Sequence, residues 1–454
     1  MLDILEKNAQ AKYICTLLED NGYEAYCVGG CVRDALMDKL PNDIDITTSA
    51  LPDEICQVFS SCECKIVKTG IKHGTISIIL GDSHYEITTM RSELGYADSR
   101  HPDNVSFIKD IETDLSRRDF TINAMAYSYS KGNIVDPFGG KMDLQSKVLR
   151  CVGDPVIRFE EDSLRILRGI RFVSRLGFSV DPDTENAMRQ QKDRLNKLAF
   201  ERVYAELKWI LCGNYAGKAV HDYAVILAEF IPEISNCIDF DQNSKYHCFD
   251  LLTHICKVID NVPAVHYLRL AALFHDIGKP SCYSIDESGE GHFYGHAKES
   301  TRVAMRVLEL LKVDNDTKDK VLFLVSHHDT PIPQTEVLIK KLLSKYGVDK
   351  FRDLIQIAKG DCIAQHPMVR YRLEIYDSIE NTVNKIIEEG QCFGMSDLAI
   401  NGRDLINCGI PQGIIVGKIL SYILNKVLDG EAENKKESLI DIATEYYHNY
   451  RKNT

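Results

Sequence analysis

Two aspartates in Asp43-Ile44-Asp45-Ile46 are the residues of this chain best placed to do chemistry. On a strand, alternate side chains share a face, so Asp43 and Asp45 point one way and Ile44 and Ile46 into a core. Two carboxylates that close repel each other unless a cation lies between them. Hard divalent cations such as Mg²⁺ take oxygen ligands of this kind and commonly hold substrate phosphates as well. A pair of such ions activates an attacking hydroxyl and stabilises a leaving pyrophosphate. Upstream, Val28-Gly29-Gly30-Cys31-Val32-Arg33-Asp34 reads as a strand end, a glycine turn and a helix start. Glycines let a backbone approach a phosphate, free N–H groups at a helix start bind anions, and Arg33 adds a planar fork of donors.

Two other groups of residues carry chemistry. The stretch from Arg158 to Arg175 holds Arg158, Arg165, Arg168, Arg171 and Arg175 with no lysine among them. A helix through it places Asp162, Arg165, Arg168, Arg171 and Arg175 on one half and Ile166, Leu167, Ile170 and Val173 on the other. Arginine offers planar donors for bidentate pairing, which lysine does not. Further on, His275-Asp276 follows an apolar run, with His254 upstream and Asp361 downstream. Imidazole and carboxylate together suit Mn²⁺, Fe²⁺, Ni²⁺ or Mg²⁺, and His296 and His327 are further candidate ligands. Arg202-Val-Tyr-Ala-Glu206 has the spacing of an ion pair within one helix and reads as scaffold.

The elements that must position these residues alternate in the first third. An opening helix over Met1 to Asn21 leads to a strand at Tyr23–Val28 and a helix from Cys31. Pro41-Asn42 breaks the chain before the strand that starts at Asp43, and a helix begins near Pro52 with Ser49 as its cap. Gly74–Leu80 and His84–Thr89 read as strands joined by a Gly81-Asp82-Ser83 turn. The first part is α/β or α+β with a sheet of about five strands. Beyond residue 150 strand signals fade and helical periodicity runs to the end. Breaks near Asp154-Pro155, Ile231-Pro232 and Gly390 divide the chain into 1–150, 151–230, 231–390 and 391–454. Glu431 to Glu437 reads as a solvated helix or loop.

Composition bounds the function. The chain has 454 residues, 44% hydrophobic and 27% charged, which suits about three soluble domains and excludes a disordered or collagen-like protein. Its net charge of −13 argues against nonspecific coating of nucleic acid, though not against a local basic groove. No run approaches the ~18 apolar residues of a membrane span, and the N-terminus lacks the pattern of a signal peptide. The 15 cysteines are scattered, with Cys62-Glu63-Cys64 the tightest pair and no Cys-x-x-Cys, so zinc ribbons and thioredoxin motifs are excluded. An odd cysteine count without an export signal points to a reduced, cytoplasmic setting. No membrane or protein partner is expected.

The Gly-Gly-x-Val-Arg-Asp segment followed by Asp-Ile-Asp resembles the class II tRNA nucleotidyltransferases, the CCA-adding enzymes, and the related bacterial poly(A) polymerases. These belong to the DNA polymerase β-like nucleotidyltransferase superfamily, and the resemblance spans nearly the whole chain. It implies an α+β fold, a mixed-sheet catalytic head followed by an all-helical neck, body and tail. It implies that Asp43 and Asp45 hold two Mg²⁺ ions, that Gly30 and Arg33 bind the triphosphate, and that Glu86 is a candidate third carboxylate. Arg117-Arg118-Asp119-Phe120-Thr121-Ile122-Asn123-Ala124 looks like the family's second motif, with Arg118 on the triphosphate or sugar. Asp136-Pro137-Phe138-Gly139-Gly140 resembles the turn that closes the head, a structural hinge. Arg91 to His101 resembles a loop that members adding only CC lack.

Glu161-Asp162-x-x-Arg165 matches the family's nucleotide-selecting motif. There Asp162 accepts from the exocyclic amino group of C or A and Arg165 donates to ring acceptors, with Arg168 and Arg171 adding contacts. The His254, His275, Asp276 and Asp361 set resembles the HD-domain metal phosphohydrolases; some relatives keep that activity and others only the fold. Ile400 to Gly413 resembles the tail region that holds substrate. The function implied is template-independent addition of CCA to tRNA from CTP and ATP. The alternatives are a poly(A) polymerase, an enzyme adding only A or only CC, and an HD phosphohydrolase on an inert nucleotidyltransferase scaffold.

Overall fold

The computed structural model describes residues 3–68, 70–71, 74–94 and 104–453. The chain divides into two compact units, Met1–Pro232 and Glu233–Thr454.

The first unit is built on strands β1 (Ala25–Val28), β2 (Ile44–Thr48), β3 (Lys65–Val67), β4 (Thr75–Leu80) and β5 (Ser83–Thr89), continued by β6 (Arg91–Leu94), β7 (Asn104–Phe107), β8 (Ala126–Ser128) and β9 (Asn133–Val135). Seven of them form one sheet in the order β3-β4-β5-β2-β1-β8-β9, while β6 and β7 pair with each other. The sheet is larger than the five strands expected because β3, β8 and β9 have only three residues each, too few for alternation to register. It is mixed: β2 and β5 run parallel and the other pairs antiparallel. Parallel neighbours need a crossover. The helix Pro52–Phe59, with β3 and β4, supplies it. All four residues of β1 are buried, as a central strand covered on both faces requires.

The opening helix is two pieces, Asp3–Glu6 and Ala9–Asp20, because Asn8 leaves helical geometry and its side chain accepts from Ala11 N at 2.8 Å. The expected arginine helix is likewise two, Pro155–Glu161 and Leu164–Leu176. Asp162 between them is extended, with φ −143° and ψ 100°. Its Oδ1 accepts from Leu164 N at 3.1 Å, a local bond that competes with helix continuation. Ile166, Leu167, Ile170 and Val173 are buried as the periodicity required. Beside them runs the helix Phe200–Leu211.

The second unit is largely helical. The helix Leu251–Asn261 packs on Val348–Ala364, and His266–Phe274, His296–Leu310 and Asn315–His327 complete the body. A two-residue hairpin, Ser284–Ile285 with Gly291–His292, is a small departure from an all-helical body. The tail helices Gly402–Asn407, Ile414–Leu428 and Lys436–Asn453 close over Leu405, Ile419, Ile423 and Leu439. No helix among the described residues is long and apolar enough to cross a membrane. The α+β expectation, a mixed-sheet head followed by a helical remainder, holds.

Candidate active site

The alternation in β2 places its acids as expected. Ile44 and Ile46 are 8% and 1% exposed, whereas Asp43 and Asp45 face solvent. The parallel register sets Asp45 directly beside Glu86 on β5, so the exposed Glu86 joins the same face. Burial raises the Asp45 pKa; Arg118 opposes that, and the charges of Glu86 and Asp43 add to it. Three carboxylates crowded on one face, offering only oxygen donors, fit hard divalent cations.

Behind this face, the turn after β1 is fixed by Gly29 rather than Gly30. Gly29 has φ +76°, and a Cβ there would lie 2.7 Å from Arg118 Nη1. A Cβ on Gly30 would meet nothing nearer than Arg33 Nη2, at 3.6 Å. Arg118 therefore lies across the Gly29 backbone. Burial lowers its pKa, and Asp114, whose Oδ2 is 3.7 Å from Nη2, and Asp45 oppose the shift. The Nε of Arg118 is buried with no hydrogen-bond partner.

Arg33 is engaged with protein groups. Its Nε donates to Asp34 Oδ1 at 2.9 Å and its Nη1 to Asn123 Oδ1 at 2.7 Å, with the guanidinium over the Phe172 ring. Asn123 Nδ2 donates in turn to Asp119 Oδ1 at 3.4 Å, and Arg168 Nε donates to Asp119 Oδ2 at 2.7 Å. Burial alone would raise Asp119, but Arg168, and Arg165 further off, hold it at about 2. This relay ties the glycine-turn helix, the Arg117–Ala124 segment and the helix Leu164–Leu176 together. Asp34, Asp119 and Asn123 stand inside the motifs without an assigned role; only Asp34 is paired with its sequence neighbour, whereas Asn123 and Asp119 fix arginines far away in the chain, which no local pattern marks. The Asp136 turn is a helix cap: its carboxylate accepts from Gly140 N at 2.7 Å and Lys141 N at 2.9 Å.

The selecting residues straddle the helix break. Arg165 is buried; its Nη1 donates to Glu161 Oε2 at 2.8 Å and to Arg158 O at 3.3 Å, and its Nη2 to Arg117 O at 3.0 Å. Asp162 accepts from Arg202 Nη2 at 3.2 Å. Arg171 pairs with Glu206 at 3.1 Å, and burial lowers Arg171 and raises Glu206. Arg202 and Glu206 thus bind partners on neighbouring segments rather than each other, which corrects the expected pair within one helix. Of the stretch Arg91 to His101, residues 95–101 lie outside the described residues.

The second unit gathers the other predicted set. His254 Nε2 lies 3.2 Å from Asp276 Oδ2, 3.2 Å from Asp361 Oδ1 and 3.3 Å from His275 Nε2. His254 and His275 are 0% exposed and Asp276 2%. His296 belongs to the cluster, 3.3 Å from Asp276 Oδ1. His327 does not; its Nδ1 bonds within its own turn, 2.8 Å from Phe323 O, and its ring stacks on Phe323. His328 replaces it, 3.4 Å from Asp276 Oδ1. One residue is about 100° of helix rotation, and His328 continues the buried line of Val321, Leu324 and Val325. His247 and Lys279 also face the cluster; Lys279 Nζ lies 2.6 Å from Asp276 Oδ2. Burial and then Lys279 push His247 down to about 3. Burial also opposes charge on His254, but Asp276 and Asp361 hold it up at about 9. Three overlapping trios, His247, His254 and Asp276, then His254, His275 and Asp361, then Asp276, His296 and His328, each bring their ligand atoms within 4.8 Å of one another, and such mixed imidazole and carboxylate donors fit a transition-metal ion.

Comparison with known proteins agrees with both units. The poly(A) polymerase head-domain family matches residues 25–150. The family described as the probable RNA and SrmB-binding site of polymerase A matches residues 177–237, and tRNA nucleotidyltransferase domain 2 matches residues 296–443. The chain is similar to the CCA-adding enzyme of Ligilactobacillus salivarius (strain UCC118), 30% identical over 97% of each chain. It is 42% identical to that of Lactobacillus delbrueckii subsp. bulgaricus, over 96% of this chain and 98% of the relative. The crystal structure of the Bacillus stearothermophilus CCA-adding enzyme in complex with CTP superposes with a TM-score of 0.74 at 28% identity, covering 98% of both chains. On full-length similarity of this kind, joined to a head with the expected mixed sheet, the chain belongs to the CCA-adding enzymes, tRNA nucleotidyltransferases related to the poly(A) polymerases.

Proposed function

We propose that this chain adds C, C and A in turn to the 3′ hydroxyl of tRNA, taking CTP and ATP as substrates and no nucleic-acid template. The observation that carries this is the face shared by Asp43, Asp45 and Glu86 beside Arg118. When bound there, two Mg²⁺ ions supply charge neutralisation at the attacking and leaving oxygens. Arg118 donates to the triphosphate from a side chain that is one-fifth exposed. Gly30 opens the helix beside the phosphates, and Arg33 holds that helix to Asn123 and contributes positive potential.

Asp162 and Arg165 choose the base. Arg202 fixes Asp162 and Glu161 fixes Arg165, so neither has to be ordered by the nucleotide. On the Watson–Crick edge C and A each present an amino donor beside a ring acceptor, and U and G do not. Arg168 and Arg171, anchored by Asp119 and Glu206, supply the remaining nucleotide contacts. Catalysis is positioning and charge stabilisation. In this reading 1–150 is the catalytic head, 151–230 the neck that selects nucleotides, 231–390 the body and 391–454 the tail that holds tRNA. The related enzyme's complex with CTP supports the substrate assignment.

The test is to incubate the pure protein with tRNA lacking CCA, Mg²⁺ and each labelled triphosphate. Two C and one A in sequence are expected. Long A tails would make it a poly(A) polymerase, and C alone or A alone a partial adder.

The buried His/Asp cluster favours a second activity. The body is a metal-dependent phosphohydrolase that clears phosphate from damaged RNA 3′ ends before nucleotide addition. His275→Ala is expected to remove hydrolysis of a 2′,3′-cyclic phosphodiester with unchanged circular dichroism. No turnover by the unaltered chain with Mg²⁺, Mn²⁺ or Ni²⁺ ends this reading.

A further inference from the structure

We propose that Trp209 and Arg175 form a stacking site for the unpaired nucleotide at the 3′ end of the RNA substrate. This rests on reading the chain as an enzyme that extends RNA 3′ ends, and concerns where that end is held. Trp209 is the single tryptophan of the chain and is 54% exposed. The helix Phe200–Leu211 buries Val203, Leu207, Ile210 and Leu211 and leaves the indole outside the core. The Arg175 guanidinium lies over that ring, 5.6 Å from its centre. Arg158, Arg165, Arg168 and Arg171 are each matched to an acid. Arg175 ends the row exposed, and among the described residues no acid pairs with it. Its backbone is fixed all the same. Ser174 Oγ donates to Ile210 O, Tyr215 N donates to Ser174 O at 2.8 Å, and a Cβ on Gly213 would lie 2.0 Å from Ser174 Oγ. These close approaches lock the turn carrying Arg175 to the turn carrying Trp209, so both are in place before a ligand arrives.

Trp209 and Arg175 line a cavity of about 320 Å³ together with Arg33, Lys39 and Asn42 of the head. Lys39 is exposed, and Asn42 is followed directly by Asp43 of the acid face. An aromatic ring beside cations is the pattern that holds single-stranded nucleic acid. The base stacks on the ring while Arg175 and Lys39 meet phosphates. The neighbouring acid face is where the 3′ hydroxyl of such a strand has to arrive. The occupant is not the incoming nucleotide. Arg165 and Arg175 stand near opposite ends of the helix Leu164–Leu176, roughly 15 Å apart along its axis, so a base on Trp209 is beyond the reach of Asp162 and Arg165. Stacking also suits an end whose sequence changes. Successive additions present the original last base, then C, then a second C. Every base has a π face, so one platform accepts them all, whereas a site reading base edges would favour one.

The experiment reads tryptophan emission from the unaltered full chain, excited where tyrosine does not absorb. With one tryptophan present, the signal belongs to Trp209 alone. The probes are tRNAs ending before CCA, after C and after CC, a hairpin RNA of the same stem whose 3′ strand ends flush, and CTP by itself. Filter retention follows the binding of each RNA in parallel. All three tRNAs should quench the emission, and neither the flush hairpin nor CTP should. In steady-state addition, Trp209→Ala should raise KM for tRNA about tenfold, the scale of one stacked base, with KM for CTP unmoved. Trp209→Phe should recover most of that loss, because either ring stacks. Arg175→Ala should weaken tRNA binding and lower its salt dependence. Bound tRNA that leaves the emission unchanged overturns the proposal. So does equal quenching by the flush hairpin, quenching by CTP, or a KM for tRNA that Trp209→Ala does not move. Quenching by a chain that adds no nucleotide would sustain the stacking site and end the addition reading; addition without quenching would do the reverse.

Discussion

At the scale of single residues, the head works by placing like charges together and opposing them with one arginine. Asp45 is a strand residue exposed overall, flanked by Glu86, with its carboxyl raised in pKa by partial desolvation and by its acidic neighbours. Removing it relieves repulsion and leaves no hole in the core. Asp45→Ala should therefore abolish incorporation of both C and A while the unfolding midpoint stays within about 0.5 kcal/mol of the parent, as surface changes usually do. Retained incorporation would refute the two-ion assignment. Gly29 is the opposite kind of position. Its φ of +76° disfavours any side chain, and a methyl would press on Arg118 Nη1 at 2.7 Å. Gly29→Ala should cost about 1–3 kcal/mol in stability, because φ +76° with ψ −130° is a backbone region that essentially only glycine occupies. It should also raise KM for CTP and ATP alike by moving Arg118. Unchanged KM values would show that Arg118 does not touch the triphosphate.

At the scale of elements, strands with strict alternation were legible and pairings were not. Asp43-Ile44-Asp45-Ile46 announces its two faces, but only the parallel register of β2 with β5 brings Glu86 beside Asp45, and no local pattern encodes that register. The helix of arginines was legible through its apolar side, and the break at Asp162 was hidden because a helical period tolerates one extended residue. Its signal is chemical: an aspartate that accepts from Leu164 N caps the next helix. The same one-residue resolution decides His328 over His327, and the buried spacing from Val321 carried it. What joins these elements is a relay of ion pairs centred on Asp119. Asp119 is ionised at neutral pH in both folded and unfolded chains. Its folded pKa of about 2 lies below the unfolded value near 4, so its contribution is complete above about pH 4 and is lost as pH falls through about 2. The shift corresponds to about 2 kcal/mol. Asp119→Asn should lower stability at pH 7 by roughly that amount and flatten the acid limb between pH 4 and pH 2, read from urea midpoints across that range. A variant that keeps the parent's acid limb would show that Arg168 holds the helix by other contacts.

At the scale of the whole molecule, a chain of net charge −13 has to bind polyanionic substrates against its own overall field. Its neck arginines are matched to acids, Arg165 to Glu161, Arg168 to Asp119 and Arg171 to Glu206. Held in this way they are suited to act as oriented donors rather than as a basic coat, and in the proposed reading affinity for triphosphates leans on cations brought to the acid face. The two units then differ in the metals they can use. The head offers Asp43, Asp45 and Glu86, all oxygen; the body offers His254, His275, His296 and His328 around Asp276 and Asp361. Hard, weakly held Mg²⁺ suits the first set, and ions with an affinity for imidazole suit the second. Buried imidazoles hold such ions against dilution, while exposed carboxylates exchange theirs with solvent. Treatment with a strong chelator followed by dialysis into excess Mg²⁺ should therefore restore CCA addition fully. Cyclic phosphodiester hydrolysis should stay low until Ni²⁺ or Mn²⁺ is returned. If Mg²⁺ alone restored both activities in parallel, the division of metals between the two units would fail.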